Sequence, residues 1–192
     1  DLDFEELQEF ICRTGLPKFR AKQINEWLVK GVESFDEMTN LPAALREKLN
    51  ETAHTGLPKI VNCLRSKIDD TAKFLFKLSD GCIIESVLMK YKYGYSVCIS
   101  SQAGCRMGCA FCASGIGGFK RQLAPSEILG QIYAAQRDLG LRISRIVLMG
   151  MGEPLDNYDN TIKFLKLVSS DDGLNIGLRH ISVSTCGLGD KI

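Results

Sequence analysis

Apolar residues in the first part of the chain recur at the three- and four-residue spacing of amphipathic helices. Phe4, Leu7 and Ile11 share one such face, and Gly15-Leu16-Pro17 ends the pattern. This spacing indicates helices that bury one side. Helices are predicted at residues 3–13, 20–30 and 42–52. We expect them to form a small helical accessory domain over residues 1–57.

Beyond Pro58 the apolar spacing changes from helical to alternating. Alternation is typical of strands that bury one side. Strands are predicted at residues 59–67, 72–78 and 83–90. Ser79-Asp80-Gly81 lies between the last two, and Asp-Gly favours the backbone twist of a tight hairpin turn. The pattern therefore predicts a β-hairpin segment over residues 58–92.

Glu85 interrupts the apolar run Ile83–Leu88 in the last of these strands. A carboxylate at such a position either points to solvent from one face of the sheet or is held in a polar pocket. The alternating pattern alone favours the solvent-exposed arrangement.

Residues 93–192 alternate between strand and helix patterns. Strands are predicted at 95–99, 143–149 and 179–184, with helices at 125–139 and 159–168 between them. A β-α-β-α-β order requires right-handed crossovers and a parallel sheet. The fold class is therefore α/β, and ligands on such sheets bind at the carboxyl ends of the strands.

Composition narrows the function only slightly. The chain has 24 Lys+Arg against 23 Asp+Glu, so a nucleic-acid partner cannot be inferred from bulk charge. No apolar run reaches membrane-spanning length, and the acidic start is unlike a signal peptide. We therefore expect a cytoplasmic protein without a membrane partner.

Three cysteines stand out because they are clustered. Cys105, Cys109 and Cys112 form C-x3-C-x2-C in a glycine-rich loop after a predicted strand. Three thiolates suit a 4Fe–4S cluster and leave its fourth iron open, where S-adenosylmethionine (SAM) can bind through its amino and carboxylate groups. A zinc site with Cys98 or Cys186 as fourth ligand is the alternative, and a disulfide framework is less favoured in so long a chain.

Two further loops follow the other predicted parallel strands. Gly150 and Gly152 allow close backbone approach, and Glu153 can bind the ammonium group of a ligand. The Ser184 hydroxyl, after the last strand, can reach a ligand's polar edge. A plain turn would also explain the glycines. This loop follows the cysteine motif by one βα unit, however, which favours the interpretation that it binds a ligand.

These residues resemble the radical SAM enzymes, and more narrowly the adenine-C2 RNA methyltransferases of the RlmN family. The resemblance rests mainly on Cys98–Phe119, Gly150–Leu155 and Ser182–Gly187, with further matches around Phe19–Trp27 and Glu85. It implies a partial (β/α) radical SAM barrel, with about three of six βα units present, after a small helical and β-hairpin accessory region. The barrel part is residues 93–192.

The resemblance also implies a role for individual residues. Cys105, Cys109 and Cys112 would hold the 4Fe–4S cluster, while Gly152, Glu153 and Ser184 would contact SAM. Cys98 matches a second catalytic thiol that releases a covalent enzyme–RNA adduct by forming a disulfide. Glu85 matches a proton acceptor, in contrast to the solvent-exposed carboxylate that the pattern alone favours.

The implied activity is methylation of C2 of adenine in 23S rRNA and tRNA through a methyl-cysteine, with flavodoxin or ferredoxin as electron donor. The family's methyl-carrying cysteine lies beyond the third barrel strand and therefore outside this chain. We accordingly expect the 192 residues to be part of a longer enzyme and to be inactive alone. A Cfr-like adenine-C8 methyltransferase and a non-catalytic metal- or RNA-binding module are the alternatives.

Overall fold

The computed structural model describes residues 1–192, and its first part is helical. The helices are α1 (Phe4–Arg13), α2 (Phe19–Val29) and α3 (Ala43–Thr52), with a short 3-10 helix at Phe35–Glu37. Asp3 begins α1 by accepting a hydrogen bond from the Glu6 N–H, while the Asp3 N–H donates to the Glu6 carboxylate. The three predicted helices are confirmed, with ends within one residue of the prediction.

The helical unit has its own apolar core. Ten buried side chains fill it: Leu7, Ile11, Ala21, Ile24, Val32, Phe35, Met38, Leu41, Leu45 and Leu49. They come from all three helices and from the segment between α2 and α3, so the predicted amphipathic faces point towards one another. This core does not include any residue of the sheet that follows.

The rest of the chain is built on one open, mixed sheet of six strands. They are β1 (Lys59–Arg65), β2 (Ala72–Lys77), β3 (Ile83–Tyr91), β4 (Gly94–Cys98), β7 (Ile143–Leu148) and β8 (Ile181–Val183). Strands β1 to β4 pair antiparallel in sequence order, whereas β4, β7 and β8 are parallel. The predicted boundary between residues 92 and 93 therefore lies within one continuous sheet.

Two crossover helices cover one face of this sheet. Helix α4 (Pro125–Leu139) connects β4 to β7, and α5 (Tyr158–Ser169) connects β7 to β8. Both ends of α4 match the prediction, with Pro125 in the first turn and Gly140 in the left-handed conformation just beyond the end. A cluster of 21 buried residues joins the helices to the sheet, and Phe74, Phe76 and Phe164 are among its fully buried side chains.

The opposite face of the sheet is much less covered. Along β3, Ile84, Ser86 and Leu88 are buried, whereas Glu85 and Val87 are half-buried. The register places Val87 beside Cys98, Cys98 beside Val147, and Val147 beside Ser182. We call this surface, formed by Glu85, Val87, Cys98, Val147 and Ser182, the open face.

Three details differ from the sequence prediction. Strand β1 ends at Arg65 rather than at residue 67, because the Ser66 N–H donates to the Thr71 carbonyl across the turn that follows. Strand β8 is shorter than residues 179–184 because Leu178–His180 form a 3-10 turn, in which the His180 N–H donates to the Gly177 carbonyl at 2.8 Å. A second, two-stranded sheet of β5 (Gln102–Ala103) and β6 (Arg121–Gln122) was not predicted, because two-residue strands leave no periodic pattern.

None of the helices combines the length and the apolar character needed to cross a membrane.

Candidate functional site

Three loops meet at the carboxyl ends of the parallel strands. Strand β4 leads into the cysteine loop, β7 into residues 149–157, and β8 into residues 184–187. Parallel pairing puts these loops at the same edge of the sheet, as the sequence predicted. The backbone joins them directly: the Gly150 N–H donates to the Ile99 carbonyl at 3.0 Å, and the Ser184 N–H to the Leu148 carbonyl at 3.3 Å.

The cysteine loop is closed at its base by the small sheet of β5 and β6. Gln102 pairs with Gln122 and Ala103 with Arg121, so the loop that carries the cysteines runs between two joined strands. Gly104 starts the loop with φ +76°, and a Cβ there would collide with the Gly118 carbonyl oxygen. Glycine at 104 therefore permits the close approach that shapes the loop.

Within the loop, Cys105 and Cys109 are half-buried and Cys112 is exposed. The Cys112 N–H donates to the Cys109 carbonyl at 3.1 Å, which makes the second half of the motif a tight turn. The structure does not gather the three thiols into a group with metal-holding geometry. The donor set itself, three free thiols on one closed loop, is of the kind that holds a 4Fe–4S cluster with one iron left open.

All eight cysteines are free. The structure therefore contains no disulfide and does not support the one that the resemblance implies for Cys98, whose partner would lie outside this chain.

The glycines after β7 bring their loop against the start of the cysteine loop. A Cβ on Gly150 would lie 2.6 Å from the Ile99 carbonyl oxygen. Gly152 has φ +102°, and a Cβ there would lie 2.5 Å from the Gln102 side chain. Both glycines thus permit close approach, as predicted, and the neighbour that they approach is the end of β4 and the residues after it.

Glu153 is 4% exposed and accepts hydrogen bonds from its own chain. Its Oε1 accepts from the Leu155 N–H at 3.0 Å, and its Oε2 from the Cys186 N–H at 2.8 Å. Burial raises the pKa of the Glu153 carboxyl, but hydrogen bonds from Thr185, Cys186 and Leu155 outweigh burial and lower the pKa overall. The site therefore holds a buried, ionised carboxylate that links the loops after β7 and β8.

Cys98 ends β4 on the open face and is half-buried. Burial raises the pKa of the Cys98 thiol, and a hydrogen bond from the Met149 backbone only partly offsets this. The thiol is therefore protonated at neutral pH. Ser184, beyond β8, is also half-buried and is tied to β7 through its backbone N–H.

Glu85 lies on the open face at a position diagonal to Cys98, because Val87 is the residue that pairs directly with Cys98. Its Oε2 is 2.9 Å from the Lys73 Nζ, and the two side chains are 44% and 43% exposed. Glu85 is thus neither freely solvated nor enclosed; it is a half-exposed carboxylate beside a cation.

A polar cluster that the sequence does not predict connects the cysteine loop to the loop after β7. Gln102 Nε2 donates to Asp156 Oδ2 and to Gln122 Oε1, both at 2.7 Å, while Gln102 Oε1 accepts from the Glu153 N–H at 2.8 Å. Arg106, inside the cysteine motif, pairs with Asp156 at 2.9 Å. No periodicity marks such residues, because polar side chains in loops look alike in sequence whether they are paired or solvated.

Asp156 is the centre of this cluster. Burial raises the pKa of the Asp156 carboxyl, but hydrogen bonds from Gln102, Arg106 and Gln122 lower it overall. The Arg106 guanidinium also lies 4.1 Å from the centre of the Phe119 ring. The ionised Asp156 therefore connects both ends of the cysteine loop to the loop that carries Glu153.

Comparison with known proteins identifies the two parts of the chain separately. Residues 1–55 match the model of the ribosomal RNA large subunit methyltransferase N-terminal domain. Residues 99–191 match the model of the radical SAM superfamily. The first match covers the helical unit, and the second covers the three loops and the parallel strands between them.

Individual relatives resemble the chain over its whole length. It is 55% identical over 192 residues to the probable dual-specificity RNA methyltransferase RlmN of Clostridium acetobutylicum, covering 100% of this chain and 56% of the relative. The protein of the same name from Clostridium tetani is 52% identical, with 100% and 55% covered. The chain thus spans a little over half the length of the curated relatives it matches.

A solved structure resembles the fold closely. The crystal structure of a radical SAM methyltransferase from Sphaerobacter thermophilus superposes with a TM-score of 0.92 and 39% identity, covering 98% of this chain and 56% of that one. The open mixed sheet is therefore a partial radical SAM domain. Together with the two family models and the relatives, this shows that the chain belongs to the RlmN family of radical SAM proteins.

Proposed function

We propose that the protein to which this chain belongs is a radical SAM methyltransferase that methylates C2 of adenine in 23S rRNA and tRNA. The observation that carries the proposal is 55% identity, over all 192 residues, to a relative named as a dual-specificity RNA methyltransferase. The meeting of the cysteine loop and the Glu153 loop at one edge of the sheet supports it.

In this proposal Cys105, Cys109 and Cys112 would hold a 4Fe–4S cluster, and Gly152, Glu153 and Ser184 would contact SAM. When bound, the cluster and SAM would supply a carbon radical, which suits a ring carbon too electron-poor for an ordinary methyl transfer. Glu153 contributes a carboxylate that its own hydrogen bonds keep ionised. The Gln102–Asp156 cluster fixes the distance between the two loops.

The remaining proposed roles belong to side chains of the open face. Cys98 would act as the second thiol: its sulfur would attack the sulfur of the methyl-carrying cysteine outside this chain, an S–S bond would form, and the S–C bond to the base would break. The released carbon would take a proton and become the methyl group; the raised pKa keeps the Cys98 thiol protonated before this step. Glu85 would accept a proton from the RNA adduct, and its Oε2 lies 2.9 Å from the Lys73 Nζ. The two residues occupy diagonal positions of neighbouring strands, which suits action on one substrate.

The proposal extends to the architecture and setting of the whole enzyme. Residues 93–192 would supply about three of six βα units of the barrel, residues 1–57 the helical accessory domain and residues 58–92 a β-hairpin segment. A methyl-carrying cysteine would lie outside this chain. We further propose a cytoplasmic location and reduction by flavodoxin or ferredoxin.

The test is anaerobic reconstitution of the full-length protein with iron and sulfide, followed by reaction with RNA, a reductant and excess SAM. Mass spectrometry should find 2-methyladenine in 23S rRNA and tRNA fragments. Absence of methylated adenine from a cluster-loaded protein would overturn the proposal, and a methyl group on C8 would replace it with the Cfr-like activity. Protein purified anaerobically with one zinc and neither iron nor sulfide would indicate the metal- or RNA-binding module instead.

A further inference from the structure

Gln131 is a fully buried amide on the face of α4 that packs against the sheet. Its Oε1 accepts from the Ser86 hydroxyl at 2.6 Å and from the Ser100 N–H at 2.9 Å. Its Nε2 donates to the Ser100 carbonyl at 2.9 Å and to the Glu127 carbonyl at 3.2 Å. Both lone pairs and both N–H groups of the amide are therefore used.

The Ser100 hydroxyl is hydrogen-bonded to two other elements. Its hydroxyl donates to the Glu85 carbonyl at 2.6 Å and accepts from the Met151 N–H at 2.9 Å. Ser100 follows β4 by two residues, Glu85 is in β3, and Met151 lies in the loop after β7. One buried amide thus connects three elements through a single serine.

These three elements carry the residues to which the proposed function gives roles. Strand β3 carries Glu85, β4 ends at Cys98, and the loop after β7 carries Glu153. We propose that Gln131 is a positioning residue, which sets the distances among Glu85, Cys98 and Glu153 without contacting substrate or cofactor. The inference rests on the proposed function for the roles of those three residues, but the network itself does not depend on it.

An apolar residue at position 131 could not make the hydrogen bonds of the Gln131 amide. Gln131 binds the N–H and the carbonyl of Ser100 together, as a neighbouring strand would, at a point where the ladder of β4 has ended. A side chain of similar size without polar atoms would fill the space but leave buried backbone groups unpaired. Ile128 and Ile132 on the same helix are fully buried apolar side chains, whereas Gln131 adds hydrogen bonds that fix Ser100 relative to the helix.

The test compares Gln131→Met with a control on the same helix, Gln136→Met, in the full-length protein. Gln136 Oε1 accepts from the Ile143 N–H at 2.8 Å, at the end of the sheet away from the three loops. In the metal-free protein, Gln131→Met should increase hydrogen exchange of the Ser100 and Met151 amides by about tenfold or more. Gln136→Met should leave these two amides unchanged.

The loaded enzyme gives a second readout, the moles of methylated adenine formed per mole of 5′-deoxyadenosine. Gln131→Met should lower this ratio by about tenfold, because displacement of Glu85 and Cys98 relative to the Glu153 loop slows methyl transfer more than it slows SAM cleavage. A purely structural role predicts that both products fall together. The inference would be overturned if methylated adenine and 5′-deoxyadenosine fell in proportion. It would also be overturned if the amide exchange rates and the product ratio of Gln131→Met equalled those of the wild type.

Ser100→Ala provides a milder version of the experiment if Gln131→Met does not fold. It removes the hydrogen bonds to Glu85 and Met151 and retains the backbone pair with Gln131, so exchange at Met151 should rise and the product ratio should fall. An unchanged Ser100→Ala enzyme would also contradict the inference. If the wild-type protein forms no methylated adenine, the proposed function fails, and the exchange experiment still decides whether Gln131 fixes these elements.

Discussion

Cysteines close together in the chain have different surroundings in the fold. Cys98 ends a strand and is half-buried, whereas Cys112 is exposed on the loop beyond it. Burial raises the pKa of the Cys98 thiol, and hydrogen bonds from Ser114 lower that of Cys112. Residue type and spacing alone do not separate a protonated thiol from an easily ionised one.

Alkylation of the metal-free, reduced protein tests this difference. At pH 7, iodoacetamide should modify Cys98 about tenfold more slowly than the exposed Cys12, because little Cys98 thiolate is present and access to it is limited. The rate at Cys98 should still be rising above pH 9, the ordinary pKa of a thiol. Peptide mapping by mass spectrometry measures both rates, and a Cys98 rate equal to that of Cys12 would contradict the assignment.

Substitution of Cys98 tests its proposed role as a thiol that does not bind iron. In the full-length enzyme, Cys98→Ala should keep its brown iron–sulfur absorbance and accumulate RNA covalently attached to the protein, because the releasing thiol is gone. Absorbance spectra and denaturing gels measure the two effects. Cys105→Ala is the matched control and should lose the absorbance; loss of it in Cys98→Ala would make Cys98 a ligand.

The sequence alone predicts those site residues that are recognised by residue type and by their spacing along the chain. The cysteine motif, Gly152 and Glu153 follow from where strands end, and the structure places their loops together. Gln102 and Asp156 are different, because each side chain is paired through a partner far along the chain. Only the folded backbone brings such partners together, so no local pattern reveals them.

The backbone conformation at the start of the cysteine loop shapes the site. Gly104 has φ +76°, and a side chain there would collide with the Gly118 carbonyl oxygen. The two glycines lie at opposite ends of the cysteine loop. Glycine at position 104 therefore lets the two ends of the loop approach each other without a clash.

Gly104→Ala should open the base of the cysteine loop and lower the free energy of unfolding by about 2–4 kcal/mol. Gly117→Ala is the control, because a Cβ at Gly117 has no atom within 4 Å and its backbone needs no positive φ. Urea unfolding gives the free energies, and iron content after reconstitution reports on the loop. A Gly104→Ala protein as stable as Gly117→Ala would disprove the steric argument.

A charged cluster joins the tip of the β2–β3 hairpin to α4. Arg121 binds Glu127 through two hydrogen bonds of 2.7 Å and Asp80 through one of 2.5 Å. The hydrogen bond from Arg121, with one from the Cys82 N–H, lowers the pKa of the Asp80 carboxyl well below its ordinary value of 3.8. Because the folded-state pKa is the lower one, this contribution to stability is present above pH 3.8 and is lost as the pH falls further.

Asp80→Asn should therefore be less stable than the wild type at pH 7, by a few tenths to about 1 kcal/mol, since solvent screens this half-exposed pair. The difference should shrink steadily below about pH 4. Urea unfolding at pH 7, 5 and 3 measures it. Asp171→Asn, at an exposed carboxylate without a side-chain hydrogen bond, should match the wild type throughout; a difference for Asp80→Asn that grows at low pH would contradict the sign.

Elements with strong periodicity were predicted closely. Helix α4 has the predicted ends because proline, apolar spacing and glycine agree. The sequence placed strands β2 and β3 equally well around an Asp-Gly turn. The two-residue strands β5 and β6 were missed, although they close the cysteine loop, because their pairing depends on tertiary contacts alone.

In the whole molecule, the helical unit and the sheet unit have separate apolar cores and meet through polar contacts. Arg137 on α4 donates to the Gly31 carbonyl at 2.8 Å and pairs with Glu37 at 3.0 Å. Lys163 on α5 pairs with Glu6 at 2.8 Å. The ion pairs of Arg137 and Lys163 between the two units should weaken in salt.

Arg137→Met should loosen the helical unit with little effect on either core. We expect a loss of no more than about 1 kcal/mol in the free energy of unfolding, but several-fold faster cleavage by thermolysin within residues 53–58, which connect the units. Arg142→Met is the control, because Arg142 is exposed and makes no side-chain hydrogen bond or ion pair. Equal cleavage of the two variants would show that Arg137 does not hold the units together.

The position of β8 has a consequence for the buried carboxylate. Strand β8 forms an edge of the six-stranded sheet, and Cys186 just beyond it donates its N–H to Glu153. Any movement of residues 184–187 would therefore displace the donors from Thr185 and Cys186 and raise the pKa of the Glu153 carboxyl. The acidity of one buried side chain thus depends on how the edge strand of the sheet is held.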